Sequence, residues 1–425
     1  MLFVLLCLVS YIYGARHAWH QSTSICGVVR ECMLLTVSCV CGFLAMFSKE
    51  TGAVSLLLCA MLKLVIAWRQ YTQHRCHVST IVPRITRCAF LSIVTFIMVR
   101  FRQQIVGVLQ PPAAAFSYID NPLLYESNLM TRMLTLARYH VQYVWLLFVP
   151  THLSYDYSFP AIPLVTSFSD TVNIWSVVLY VSIATAIVIC MQRQLFIEIF
   201  ALMFSAITFF PASGILITPG TVIAERVLYL PSAGWCVFIS SLLYRLQQRH
   251  RRLATMIVVV VIAWYVQRCI EYSHAWSSDT TLFTSALSSQ PRSAKVQYNA
   301  GVAIKDKTVR LQHFQKAVDL YPDDLLAQMG LGAAYEELFR EQPTEDNVYL
   351  LDRAEQSYLF ALHNVTVRDA NSAMESRMKA LDTFTKFMRA RQQDRLMEIY
   401  MSELRVLVRE REELLAEQRG MLTFR

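Results

Sequence analysis

The sequence predicts an all-α protein in two parts: a polytopic membrane-helix region over residues 1–270 and a helical-repeat region over 271–425. Three observations predict it. The chain is 55% hydrophobic and only 16% charged, where a soluble domain carries about 25% charged residues. Its apolar residues gather in eight runs long enough, or nearly so, to span a bilayer. Its charge is divided, with 19 Lys and Arg against 8 Asp and Glu through Ile270, and 20 against 23 after it.

In chain order the apolar runs are Leu2–Tyr13, Met33–Phe47, Ala53–Trp68, Cys88–Val99, Ile174–Met191, Leu195–Ile217, Pro231–Tyr244 and Leu253–Val266. The first has no basic residue before Arg16, unlike a secretory leader, and reads as the tail of a longer span. All 11 Cys lie at or before Cys269. Most fall inside apolar runs, where a small buried residue is expected, and no His/Cys spacing matches a zinc site. The basic excess sits in short connections between runs. That is the pattern of bilayer topology and excludes a nucleic-acid surface.

Sidedness follows from two of those connections. Arg69, Arg75, Arg84 and Arg87 lie in one, and Arg245, Arg249, Arg251 and Arg252 in the other; both belong to the cytoplasmic face. The region after the last span is then luminal. Counting from either connection places residues 100–132 and 151–171 on the luminal side as well. The intervening "LMTRMLTLARYHVQYVWLLFVP" is therefore expected to be an interfacial or re-entrant amphipathic helix.

The second part carries helix–turn–helix signals. Tyr298, Ala300, Gly301, Phe314, Ala317 and Pro322 match one tetratricopeptide-repeat unit with a shortened inter-helix turn. Leu331, Gly332, Tyr335, Ala354, Tyr358 and Ala361 match a second, enlarged by the insertion "EQPTEDN". Ala286 and Pro291 close a degenerate unit before them, and the charged tail to Arg425 reads as a helical cap. Such units stack into an α-solenoid with a concave surface for partners.

Five segments in order, "MFSKETG", "DNPLLYESNLMTRMLT", "WLLFVPTHLSYDYSFPAIPLV", "PASGILITPGTVIAERVLYLPSAGW" and "SAKVQYNAG", resemble the transmembrane and tetratricopeptide-repeat family of endoplasmic-reticulum O-mannosyltransferases (TMTC). The resemblance covers nearly the whole chain. It implies a GT-C-like membrane domain and luminal repeats. It further implies transfer of mannose from dolichyl-phosphate mannose to Ser or Thr of luminal proteins, cadherins among them, with no cofactor beyond the donor and no metal. In the family, acidic residues lie in a first luminal loop. Met1 aligns with a later span, so the sequence reads as an N-terminally truncated form, an isoform or an inactive relative. The rival function is a non-catalytic membrane adaptor of the endoplasmic reticulum.

Sugar transfer to a hydroxyl needs a carboxylate to take the proton and cations to steady the departing phosphate. Asp156 and Glu225 are the candidate carboxylates, and Lys49 and Arg226 the candidate phosphate-binding cations. Each has a second reading. Lys49 can snorkel beside Glu50, Glu225–Arg226 can brace a loop, and Asp156 and Asp120–Asn121–Pro122 can be turns. Pro231 fits the first turn of a helix. Arg132 and Arg138 are candidates for lipid headgroups, and Asn364-Val365-Thr366 is an N-glycosylation sequon.

Overall fold

The computed structural model describes residues 1–19, 25–73, 82–106, 116–363, 370–391, 397–403 and 405–410, and no strand occurs among them. The membrane part comprises α1 (Leu2–Trp19), α2 (Ile25–Ser48), a 3₁₀ turn (Glu50–Val54) running into α3 (Ser55–Thr72), α4 (Val82–Val106), α5 (Leu129–Phe148), α6 (Val172–Gln192), α7 (Phe196–Phe209), α8 (Pro231–Arg249) and α9 (Arg251–Ala275). The repeat part comprises α10 (Asp279–Ser289), α11 (Ala294–Ala303), α12 (Lys307–Leu320), α13 (Leu325–Glu341), α14 (Val348–His363) and α15 (Ala370–Ala390).

Three helices, Thr51–Thr72, α6 and α9, are long and apolar enough to cross a membrane. Only 11% of the apolar window of α6 and 6% of that of α9 is covered by protein. A helix apolar on all sides, yet uncovered, needs lipid around it. α1, α2, α3, α4 and α7 share one core, with Cys7, Leu8, Leu58, Cys59, Leu91 and Phe204 at its centre. The cysteines divide: Cys7, Cys59, Cys88 and Cys190 are buried, whereas Cys32, Cys236 and Cys269 are exposed.

The predicted run Leu195–Ile217 is not one helix. α7 ends at Phe209, a 3₁₀ turn takes Phe210–Ala212, and Gly214 has φ +78°. Pro211 explains the stop, because it lacks an N–H and crowds the preceding turn. The amphipathic stretch is helical as α5, capped by Asn128 accepting from the Met130 amide at 2.9 Å. Thr131, Thr135, Tyr139, Tyr143 and Leu146 form its buried stripe. Tyr139, Tyr143 and Leu146 pack with Leu123, Tyr157, Ile162 and Leu228. That second core lies under the loops, and it fixes the segments that carry most of the candidate site.

Each repeat-part helix packs on the next in the chain. Ser293, Asp306 and Asp324 cap α11, α12 and α13 through their side chains. The turn between α11 and α12 is only residues 304–306, and the insertion between α13 and α14 holds a 3₁₀ turn, Glu345–Asn347. Phe314 packs with Leu331 and Ala334, and Tyr358 with Phe384 and Phe387. These aromatics are core residues.

Candidate functional site

Two of the predicted residues, 177 positions apart in the chain, line one cavity of about 110 Å³. Lys49 follows α2 in extended conformation and leads into the 3₁₀ turn. Arg226 sits in a second 3₁₀ turn, Glu225–Leu228, just before α8. Ser48, Thr51, Gly52, Thr208 and Tyr229 complete the polar and backbone wall, and no acidic residue is among the described lining residues. The cavity is headgroup-sized beside the about 300–1,000 Å³ of a whole-ligand pocket.

Three features suit it to an anion. Lys49 and Arg226 are both exposed, and neither side chain makes a hydrogen bond or ion pair among the described residues. The helix running into α3 begins beside Lys49, so its unpaired N–H groups and positive dipole end lie at the cavity wall. α8 also begins there, with Leu230 in the lining and Pro231 in its first turn.

Gly52 makes the close approach possible. A Cβ there would lie 2.2 Å from both the carbonyl carbon and oxygen of Ala45, so the 3₁₀ turn rests directly on the backbone of α2. Its amide donates to the Lys49 carbonyl at 2.8 Å, which closes the turn that carries Lys49.

Glu225 does not pair with Arg226; no ion pair joins them among the described residues. Its Oε1 accepts from the Ser154 amide at 2.7 Å and from the Tyr157 hydroxyl at 2.6 Å. Burial pushes the Glu225 pKa above its ordinary value, and these two hydrogen bonds oppose the shift. Burial likewise holds the Tyr157 hydroxyl far above its usual pKa, reinforced by the Glu225 carboxylate, so it keeps its proton to donate. Glu225 is outside the cavity lining, and so is Asp156.

Asp156 accepts from the Ser158 amide at 2.7 Å and lies 3.6 Å from Lys295 of α11. Asp120 shares the same ammonium at 3.0 Å. Burial pushes Lys295 down, but Asp156 and Asp120 outweigh it and hold the ammonium above its ordinary pKa. Asn121, fully buried, donates to the carbonyls of Pro219 and Thr221 at 2.7 and 3.3 Å, so it anchors the loop that ends in Glu225–Arg226.

Arg132 donates to the carbonyls of Leu123 and Glu126 at 2.8 and 3.2 Å and to the Thr218 hydroxyl at 2.9 Å. Arg138 donates to the Pro163 carbonyl at 3.1 Å, and burial lowers its pKa despite Asp170. Both guanidiniums tie loops to α5. Asn364 lies outside the described residues. No cluster of three metal-ligating side chains occurs among the described residues.

Sequence reasoning missed Ser154, Tyr157, Asn121 and Lys295. All but Lys295 are uncharged, and each acts through a partner distant in the chain. The one local signal was "LSYDYS", six residues rich in hydrogen-bonding side chains between two Pro-bounded segments.

A family model described as Protein O-mannosyl-transferase TMTC, DUF1736, matches residues 109–184. The chain is 31% identical over 267 residues to Protein O-mannosyl-transferase TMTC1 of Mus musculus, covering 60% of this chain and 28% of that protein. It is 33% identical over 220 residues to Protein O-mannosyl-transferase TMTC4 of Homo sapiens, covering 49% of this chain and 29% of that protein. It is 29% identical over 253 residues to Protein O-mannosyl-transferase TMTC3 of Mus musculus, covering 58% and 27%. The match thus spans less than a third of each of these curated relatives. No solved structure matches.

Proposed function

Because the chain belongs to the TMTC family of protein O-mannosyl-transferases, we propose that it serves the transfer of mannose from dolichyl-phosphate mannose to Ser or Thr of proteins in the endoplasmic-reticulum lumen. The observation that carries this reading is the shared cavity of Lys49 and Arg226. In the transfer, the acceptor hydroxyl oxygen bonds to the anomeric carbon and gives its proton to a carboxylate base, the bond from that carbon to the phosphate oxygen breaks, and dolichyl phosphate leaves with the bonding pair. The departing phosphate gains negative charge, so the two cations stabilise the transition state more than the bound donor. Glu225 acts as a positioning residue that fixes the turn presenting Arg226.

Membrane geometry agrees with this. α8 starts at the cavity and ends at Arg249, next to Arg251 and Arg252. Its apolar stretch, Pro231–Tyr244, runs from the cavity toward that Arg cluster. With the Arg cluster cytoplasmic, the cavity sits at the luminal edge. α9 then returns the chain to the same side, where the repeat helices stack into a solenoid that captures acceptors, cadherin-like proteins among them.

The test is transfer of mannose from the lipid-linked donor to a Ser/Thr acceptor by the purified full-length protein. Lys49→Ala is expected to lower kcat/KM about tenfold, the worth of one charge-assisted contact of about 1.4 kcal/mol. An unchanged kcat/KM removes Lys49 from the site.

A second reading, a non-catalytic membrane adaptor, is favoured by one observation: Asp156 and Glu225 are both engaged in local bonds. Glu225 decides the matter. Glutamine keeps an acceptor oxygen for Ser154 and Tyr157, so Glu225→Gln is expected to retain transfer within about threefold, and Glu225→Ala to lose more than tenfold. Complete loss in the glutamine variant would make Glu225 the proton acceptor instead. The pH dependence has a matching sign. Because the folded pKa is raised above 4.5, the protonated form favours folding. That contribution is full at low pH and lost as pH rises through the folded pKa. Thermal melts of Glu225→Gln across that range should lack this step.

A further inference from the structure

Residues 154–158 are held from two sides at once. Toward the cavity, Ser154 and Tyr157 both bond Glu225, at 2.7 and 2.6 Å. Toward the repeats, the residues between and after them bond α11. The Tyr155 hydroxyl accepts from Asn299 at 2.9 Å, Asp156 lies 3.6 Å from Lys295, and the Ser158 hydroxyl meets that of Ser293 at 3.1 Å. The strap is only five residues long. A second route starts from the same lysine. Lys295 holds Asp120 at 3.0 Å, and the adjacent Asn121 holds the Pro219 and Thr221 carbonyls. Both routes end on the segment that carries Glu225 and Arg226. Beside them, Tyr321, just after α12, stacks on Tyr118 and meets Phe159 edge-on, so the interface has an apolar part as well.

We propose that Lys295 is a positioning residue. By clamping Asp120 and Asp156 it ties helix α11 to the two loops that hold Glu225, and so sets how Arg226 is presented at the cavity. The proposal rests on reading Lys49 and Arg226 as the phosphate-binding cations. The physical reason is charge. Two carboxylates share one ammonium, and without it they repel each other. The loops of residues 117–121 and 154–158 then separate, and the strap pulls on Glu225. An isolated, partly exposed ion pair contributes little to stability, so the effect is one of placement and not of global unfolding. Docked repeats and a correctly presented Arg226 become one state, so the membrane site is competent only when the repeats are seated.

The experiment uses the full chain in lipid nanodiscs and has two readouts. Hydrogen exchange over residues 219–230 reads the placement, and the donor KM and kcat read its consequence. Lys295→Met is expected to speed exchange over 219–230 about tenfold and to lower kcat more than it raises the donor KM. Lys295→Arg keeps the charge and should stay near the parent in both. Adding Asp120→Asn to Lys295→Met removes the repulsion and should restore most of the protection. Faster exchange in α11 with none in 219–230 overturns the proposal, because Lys295 is then only a local staple. Faster exchange with kcat and KM both unchanged leaves the clamp standing and sinks the phosphate reading of Arg226. Should Lys295→Met fail to fold, Asn299→Ala removes one neutral bond from the same strap and supports the same comparison.

Discussion

Arg226→Ala is expected to cut transfer about 100-fold, or roughly 2.7 kcal/mol of transition-state stabilisation. Most of the loss should fall on kcat. The bound donor is a phosphodiester with one negative charge, and the leaving dolichyl phosphate carries more, so a cation at that oxygen does most at the transition state. Arg226→Lys keeps the charge but not the paired N–H geometry, and should lie between the two. Folding is expected to be untouched, because the guanidinium is exposed and makes no hydrogen bond or ion pair among the described residues. The Arg226→Ala, Lys49→Ala double variant should lose less than the sum of the single losses, since both side chains serve one phosphate. Parent-level turnover by Arg226→Ala would return Arg226 to a loop role.

Gly52→Ala should be the most damaging single-methyl change in the membrane part. The new Cβ would sit 2.2 Å from the Ala45 carbonyl carbon and oxygen. Those are helix backbone atoms, not the free end of a side chain, so they have no rotamer to adopt. Relief requires the 3₁₀ turn to lift off α2, at a cost of about 3 kcal/mol. The lift also moves Lys49 and Thr51, which line the cavity with Gly52. Thermal unfolding in detergent should fall by several degrees, and the donor KM should rise in the same variant. A melting temperature equal to the parent's would show that the turn has room that the backbone geometry denies.

The helices were legible because their cause is local. An apolar run of span length has few alternatives in lipid; the caps Asn128, Ser293 and Asp324 were seen only in the structure. The run Leu195–Ile217 misled only where Pro211 outweighed apolarity. Lys49 and Arg226 were legible one at a time, since each is an ion placed where burial in lipid is costly. Their meeting in one cavity was not, because it depends on how α7 packs against α8 and the turn after Lys49. Asp156 and Glu225 were legible as charges and not as roles. Glu225 takes its partners from Ser154 and Tyr157, neither of which carries charge. Asp156 takes Lys295 from a helix more than a hundred residues on. A carboxylate's function is set by what faces it, and that is a property of the fold.

Only residues 276–278 separate α9 from α10, and all three of their amides are bonded. The Trp276 and Ser277 amides continue the helical pattern to Tyr272 and His274, and Thr281 bonds back to the Ala275 carbonyl. The Ser278 and Thr281 capping box then starts α10 without a spacer. The repeats are thus mounted on a rigid bracket and not on a tether. Whatever binds the helices from α10 onward is therefore met at a set distance from the end of α9.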